Sequence, residues 1–172
     1  MYKLESFSNG GVLVSNTDTP YNATFAAANE AEAMQIVVGL NQPVMLAELA
    51  AHRFAFEVAG LQLAGGMQVK TDRESQAQLN SAYVTLNGGL IPDTDWKGAN
   101  GWQLVDLEQI TPIAKAVAAH GRGCFRGERL VQTAINEAAN MDDIEAIDIP
   151  GMFASAYQEA YAEVMTPEQA PE

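Results

Sequence analysis

The sequence predicts an α+β chain in which short β-hairpins alternate with helices and one long helix dominates the C-terminal half. Three observations carry that expectation. Paired glycines or Asn-Gly steps at 9–11, 65–66, 88–89 and 100–101 separate short strand-like runs from helical ones. Apolar residues return at three- and four-residue spacing from Ile110 to Ala138. Helix-start signals precede several apolar stripes: cap candidates at Asn29 and Asp106, and Thr71 followed three residues on by Glu74.

The elements follow in order. "YKLESF" and "VLVS" around Asn9-Gly10-Gly11 predict a hairpin, followed by a polar loop with Pro20. Asn29 is an N-cap candidate for a short helix over 30–38, closed by Gly39 and Pro43. A second helix is expected from Pro43 to about Val58, with Met45, Leu49, His52 and Phe56 on its apolar side. "LQLAGGMQVK" reads as a tight hairpin on Gly65-Gly66. Thr71 with Glu74 has the spacing of a capping box, opening a helix striped by Leu79, Ala82, Tyr83 and Leu86. "DWKGANGWQLVD" predicts another hairpin, with Trp96 and Trp102 near each other across it.

Asp106 should cap the long helix, to about Ala139. Pro112 is tolerable there only near the first turn. Gly121, Gly123 and Gly127 each cost such a helix roughly 1 kcal/mol against alanine. Either the helix breaks there or something packs closely against it. "MDDIEAIDI" reads as a short capped turn anchored by Ile144 and Ile147. A terminal helix follows, with Met152, Tyr157, Tyr161 and Val164 on one side, and then the tail "TPEQAPE". The expected division is a small β-containing region over 1–42, an α+β domain over 43–149, and a C-terminal helix with acidic tail over 150–172.

Charge and composition narrow the function classes. The net charge of −13 disfavours nucleic-acid binding, because an acidic surface repels phosphate. No apolar run reaches the about 18–20 residues that span a bilayer, and "MYKLESFSNGG" is no signal peptide, so a soluble chain made in a cytoplasm and independent of membranes is expected. A single cysteine, Cys124, excludes an internal disulfide and the multi-cysteine zinc patterns.

Two clusters resemble chemistry. His120, Cys124 and Glu128, spaced four apart, share a helix face and are all possible metal ligands, and His120 could activate Cys124 as a nucleophile. A zinc site needs three or four ligands, however, and a buried cysteine is ordinarily a small hydrophobe. Thr71, Asp72, Glu74 and Ser75 could form a carboxylate site, but acids at a helix start are stabilised there by the helix dipole. Nucleophile-elbow, P-loop and dinucleotide glycine patterns are absent. The plain reading is structural for both clusters, so no catalytic, cofactor or metal residue is assigned. The tryptophans could line a ligand groove, although such a pair is more often core.

The feature that points to a partner is a basic strip. Lys115, Arg122, Arg126 and Arg129 lie on one side of the long helix at offsets of 7, 11 and 14, and make up four of nine basic residues. Residues 130–172 hold no lysine or arginine and nine acids. The strip is either a solvated face or a dock for acidic surface, from this chain's own C-terminal part or from another subunit. Gly123 and Gly127 would let such a neighbour approach the backbone.

"VKTDRESQAQLNSAYV", "DWKGANGWQLVD", "AKAVAAHGRGCFRGERLVQTAI" and "MDDIEAIDI" occur in this order between about Val58 and Asp148. Together they resemble a domain of unknown function common in tailed-phage and prophage proteins encoded among tail and tail-fibre genes. Gly121, Gly123 and Gly127 depart from its pattern, and residues 1–57 fall outside the resemblance. It implies a non-enzymatic tail-associated protein acting by protein–protein binding, near the tail tip or fibre attachment. The alternatives are a tail-fibre assembly chaperone, or a small enzyme or metal protein using His120 and Cys124. The implied partner is a phage tail or tail-fibre protein, with homo-oligomers possible. The implied location is the virion tail, after synthesis in the host bacterial cytoplasm.

Overall fold

The computed structural model describes residues 1–16, 19–98 and 101–166. Among these residues the fold is α+β, with three small antiparallel sheets and five α-helices, one of them 31 residues long. The described chain forms two compact units, 1–51 with Glu128–Met152, and His52–Gly127 with 153–166. The divisions between them fall within three helices.

In the first unit, β1 (Tyr2–Ser8), β2 (Gly11–Asn16) and β3 (Thr19–Ala26) form an antiparallel sheet in the order β1-β2-β3. Asn9 and Gly10 turn the first hairpin with φ of 49° and 77°, the left-handed region that Asn and Gly tolerate. β3 corrects the expected polar loop. Its Pro20 and Asn22 are poor strand formers, but it pairs with β2 from Gly11↔Ala26 to Asn16↔Thr19. Ladder pairing outweighs local propensity here. Val12 and Val14 alternate onto the buried face and pack with Ala33 and Val37.

Ala33 and Val37 belong to α1 (Glu30–Glu57). Asn29 caps it, accepting from the Glu32 amide at 2.9 Å. One helix therefore replaces the two expected, with Gly39 and Pro43 inside it. Proline removes one helical hydrogen bond and crowds the carbonyl four residues back. The first unit offsets that cost with a continuous buried stripe through Ala33, Val37, Asn41, Met45 and Leu49. Asn41 is fully buried and satisfied: its Oδ1 accepts from the Tyr2 amide at 2.7 Å, and its Nδ2 donates to the Tyr2 carbonyl at 3.0 Å. Fusion also makes α1 long and apolar enough, by length and composition alone, to cross a membrane, contrary to the expectation that nothing reached that length.

The rest of this unit comes from the last ten residues of α3 (Leu107–Glu137) and from α4 (Met141–Glu145). Gln42 donates to the Ile135 carbonyl at 3.1 Å, and Gln35 to that of Ala139 at 2.7 Å, which satisfies groups a helix end leaves open. Asn140 caps α4 through a capping box with Asp143 and seats the buried Ile144. Ile147 is only half-buried.

The second unit begins with the end of α1. It adds the hairpin β4 (Leu61–Gln62) and β5 (Gln68–Val69), then α2 (Arg73–Asn87), the hairpin β6 (Thr94–Gly98) and β7 (Gly101–Val105), and the start of α3. Its core joins Leu79 and Leu86 of α2 to Val69, Val105, Ile110, Ile113 and Val117. Asp106 and Gln109 cap α3 reciprocally, at 2.9 and 3.1 Å, and Pro112 is accommodated near its start. Asn100 of the expected Asn-Gly turn lies outside the described residues.

The start of α2 corrects the expected capping box. The cap is Asp72, whose carboxylate accepts the Ser75 amide at 3.0 Å and the Ser75 hydroxyl at 2.7 Å. These bonds, the amide's first, hold its pKa below the usual carboxylate value. Thr71 is fully buried and ties two helices together. Its hydroxyl donates to the Glu57 carbonyl at 2.6 Å and accepts from the Gly60 amide at 2.9 Å. Thr71→Val keeps the shape, strands the Gly60 amide and takes one of two side-chain donors from the Glu57 carbonyl. It should cost about 1–2 kcal/mol in urea unfolding, whereas Thr71→Ser should cost less.

The remaining helix, α5 (Ile149–Met165), contributes 153–166 to this unit. Its buried positions here are Phe153, Ala156, Tyr157 and Ala160. Of Met152, Tyr157, Tyr161 and Val164, expected on one side, only Tyr157 is buried and the others are half-buried, while Phe153 is the largest fully buried side chain among the described residues.

Candidate functional site

Gly123 and Gly127 lie where α3 passes α5. The helix does not break at them. A Cβ on Gly123 would stand 2.6 Å from the Tyr157 ring, and one on Gly127 would stand 2.8 Å from the Phe153 ring and 2.9 Å from the Phe153 carbonyl. Gly121 has open space instead. The close neighbour at 123 and 127 is thus a helix of the same chain. Arg122 extends the seam, donating to the Ala160 carbonyl at 2.6 Å and pairing with Glu163, whose pKa it lowers by hydrogen bond and charge. Lys115, Arg126 and Arg129 are exposed.

Beside this seam His120 is almost fully buried. Its Nε2 lies 3.0 Å from the Glu57 carbonyl and its Nδ1 lies 2.9 Å from the Tyr157 hydroxyl. A carbonyl only accepts, so Nε2 carries a proton and Nδ1 is free to accept from the phenol. Cys124 Sγ sits 3.8 Å from that same Nε2. A nitrogen already bearing hydrogen cannot take the thiol proton, so the geometry does not set up a thiolate. Phe56 and Tyr157 pack against the His120 ring, with centroids 5.8 and 5.5 Å away, and Phe153 packs in turn against both, at 5.3 and 6.5 Å. Burial first, then the neighbouring Cys124 and Tyr161, push the Tyr157 pKa up to about 12. Among the described residues no three His, Cys, Asp or Glu side chains are grouped to hold a metal ion.

The concave surface lies elsewhere in the second unit. A groove of about 510 Å³ runs between α2, the end of the β4–β5 hairpin and the β6–β7 hairpin, within the usual range for binding clefts. One face of α2 borders it through Ser75, Gln78, Leu79, Ala82 and Thr85, at three- and four-residue spacing. Lys70 and Lys97 stand at its sides. Both tryptophans border it, but not as a pair. Trp96 opposes Gln103 and Lys97 opposes Trp102, so the two rings lie on opposite faces of the hairpin. Trp96 packs on the core, whereas Trp102 is 69% exposed, with Lys97 Nζ 5.4 Å from its ring centroid. Leu104, two residues along, shares that outer face and is also exposed. The corrected register leaves an aromatic and apolar surface beside the groove. Only the alternation "WQLV" within the second hairpin could have marked this from sequence.

The family model of a domain of unknown function, DUF4376, matches residues 41–150. The chain belongs to this family, and the match takes in α2, both small hairpins and α3. No curated protein and no solved structure matches the chain.

Proposed function

Taking membership of that family as the premise, we propose that the chain works by binding another protein, as a component of a bacteriophage tail near its tip or fibre attachment. The observation that carries the binding reading is the groove beside the exposed Trp102–Leu104 face, since an open cleft rimmed by unburied aromatic surface is the usual form of a recognition site. The resemblance of the ordered motifs to tail-gene products supports the setting. The polar residues that resemble chemistry have architectural partners: Thr71 ties helices, Asp72 caps one, and His120 joins Glu57 to Tyr157.

Mass spectrometry of purified particles tests this. A stoichiometric copy number is expected. Absence from the particle, together with loss of fibre solubility when the chain is withheld from co-expression, would make it an assembly chaperone instead. Absence with no effect on the fibre would remove the tail reading altogether.

A further inference from the structure

Four successive residues of β6, Thr94 to Lys97, border the groove. Successive strand side chains point to opposite faces, so the unbroken run on β6 meets the cavity with its edge as well as a face, while Trp102, Gln103 and Val105 border it from β7. Among the described residues β6 pairs only with β7, and no backbone hydrogen bond reaches it from any other segment. The register closes with Gly98 opposite Gly101, with two residues between them, which makes that pair hydrogen-bonded. Alternation then directs the amides of Asp95 and Lys97 away from β7. An open edge of this kind is a template for another strand.

We propose that the groove binds an extended segment of a partner protein as an added β-strand on the edge of β6, and that this segment alternates apolar with acidic residues. The alternation follows from what the two sides of such a strand would meet. One side faces the apolar floor of Leu79, Ala82 and Val105. The other faces Lys70 and Lys97, two of the nine basic residues of a chain whose net charge is −13, against the single acid Asp95 in the lining. Main-chain hydrogen bonds supply affinity in strand addition, and side chains supply selectivity. The proposal rests on the binding reading and specifies its mode.

The probe is a fluorescein-labelled seven-residue peptide of alternating glutamate and valine, titrated with the whole protein at low salt. Binding tighter than about 1 mM is expected. Two further peptides carry N-methyl groups on one or the other alternate set of amides. Only one edge of an added strand bonds to β6, so one set should weaken binding at least tenfold while the other leaves it nearly unchanged. Lys70→Glu with Lys97→Glu, both at exposed positions that leave the core intact, should also weaken it at least tenfold, and a lysine–valine peptide should not bind. Equal binding by both methylated peptides, or none by the parent, overturns strand addition. If the peptide results fail while the protein is found in particles, the mode is wrong and tail association stands. If the peptide results hold and the protein is missing from particles, strand addition stands and the reading as a tail component fails.

Discussion

Replacing Gly123 and Gly127 together with alanine is expected to destabilise the protein by about 3 kcal/mol, although alanine is the better helix former by about 1 kcal/mol at each site. The sign is decided by what each new methyl meets. At Gly127 it would lie 2.9 Å from the backbone carbonyl of Phe153 and 2.8 Å from its ring. A carbonyl within a helix cannot move alone, so α5 must shift away from α3. At Gly123 the obstacle is mainly the Tyr157 ring, with that residue's carbonyl 3.1 Å away. The ring has little freedom, since it packs against Phe56 at 4.8 Å and bonds His120. Overpacking of this kind ordinarily costs about 1–3 kcal/mol per site. Gly121 is the control on the same helix. A methyl there meets nothing within 4 Å, so Gly121→Ala should stabilise by up to about 1 kcal/mol. Urea unfolding midpoints for the double variant and the Gly121→Ala control read all of this. A more stable double variant would mean that the helices do not approach closely at these positions.

These glycines also show how far the sequence can be read. Their cost was legible, because three glycines in a helical stripe demand a reason. The reason was not, since it depends on Phe153 and Tyr157, some 26 to 34 residues further on. Elements with strong local signals are legible throughout: the caps at Asn29 and Asp106, and the turn at Asn9-Gly10. Where the reading differs from the structure, a non-local contact overrides a local preference. Pro43 marks a helix start by its own chemistry, yet the buried stripe around Asn41 carries α1 through it. Thr71 has the spacing of a cap, yet its hydroxyl is engaged by Glu57 and Gly60, and Asp72 caps instead. The groove is missed for a different reason: β5, α2 and β6 follow one another within residues 68–98, but each local signal marks only its own element and none marks the concavity between them.

The His120 network yields the second large effect, and it bears on whether His120 is architecture or chemistry. His120→Leu is expected to cost about 3 kcal/mol. The leucine fills much of the volume but leaves the Tyr157 hydroxyl buried without its partner and takes one of two side-chain donors from the Glu57 carbonyl. Each buried polar group left unmatched costs about 1–3 kcal/mol. If the bond is the cause, adding Tyr157→Phe should recover part of the loss, because the orphaned hydroxyl is gone. A double-mutant cycle measures this coupling. The pH dependence gives an independent check. Tyr157 is held protonated to about pH 12 in the folded chain, against about 10 when unfolded. Between these values the unfolded state has lost the proton and the folded state keeps it, so folding stability must fall as pH rises from 10 toward 12. Tyr157→Phe should remove that contribution, giving a flatter stability curve over the same range. Unchanged curvature in Tyr157→Phe, together with additive behaviour in the cycle, would show that the two rings merely touch, and would return His120 to consideration as a group free for chemistry.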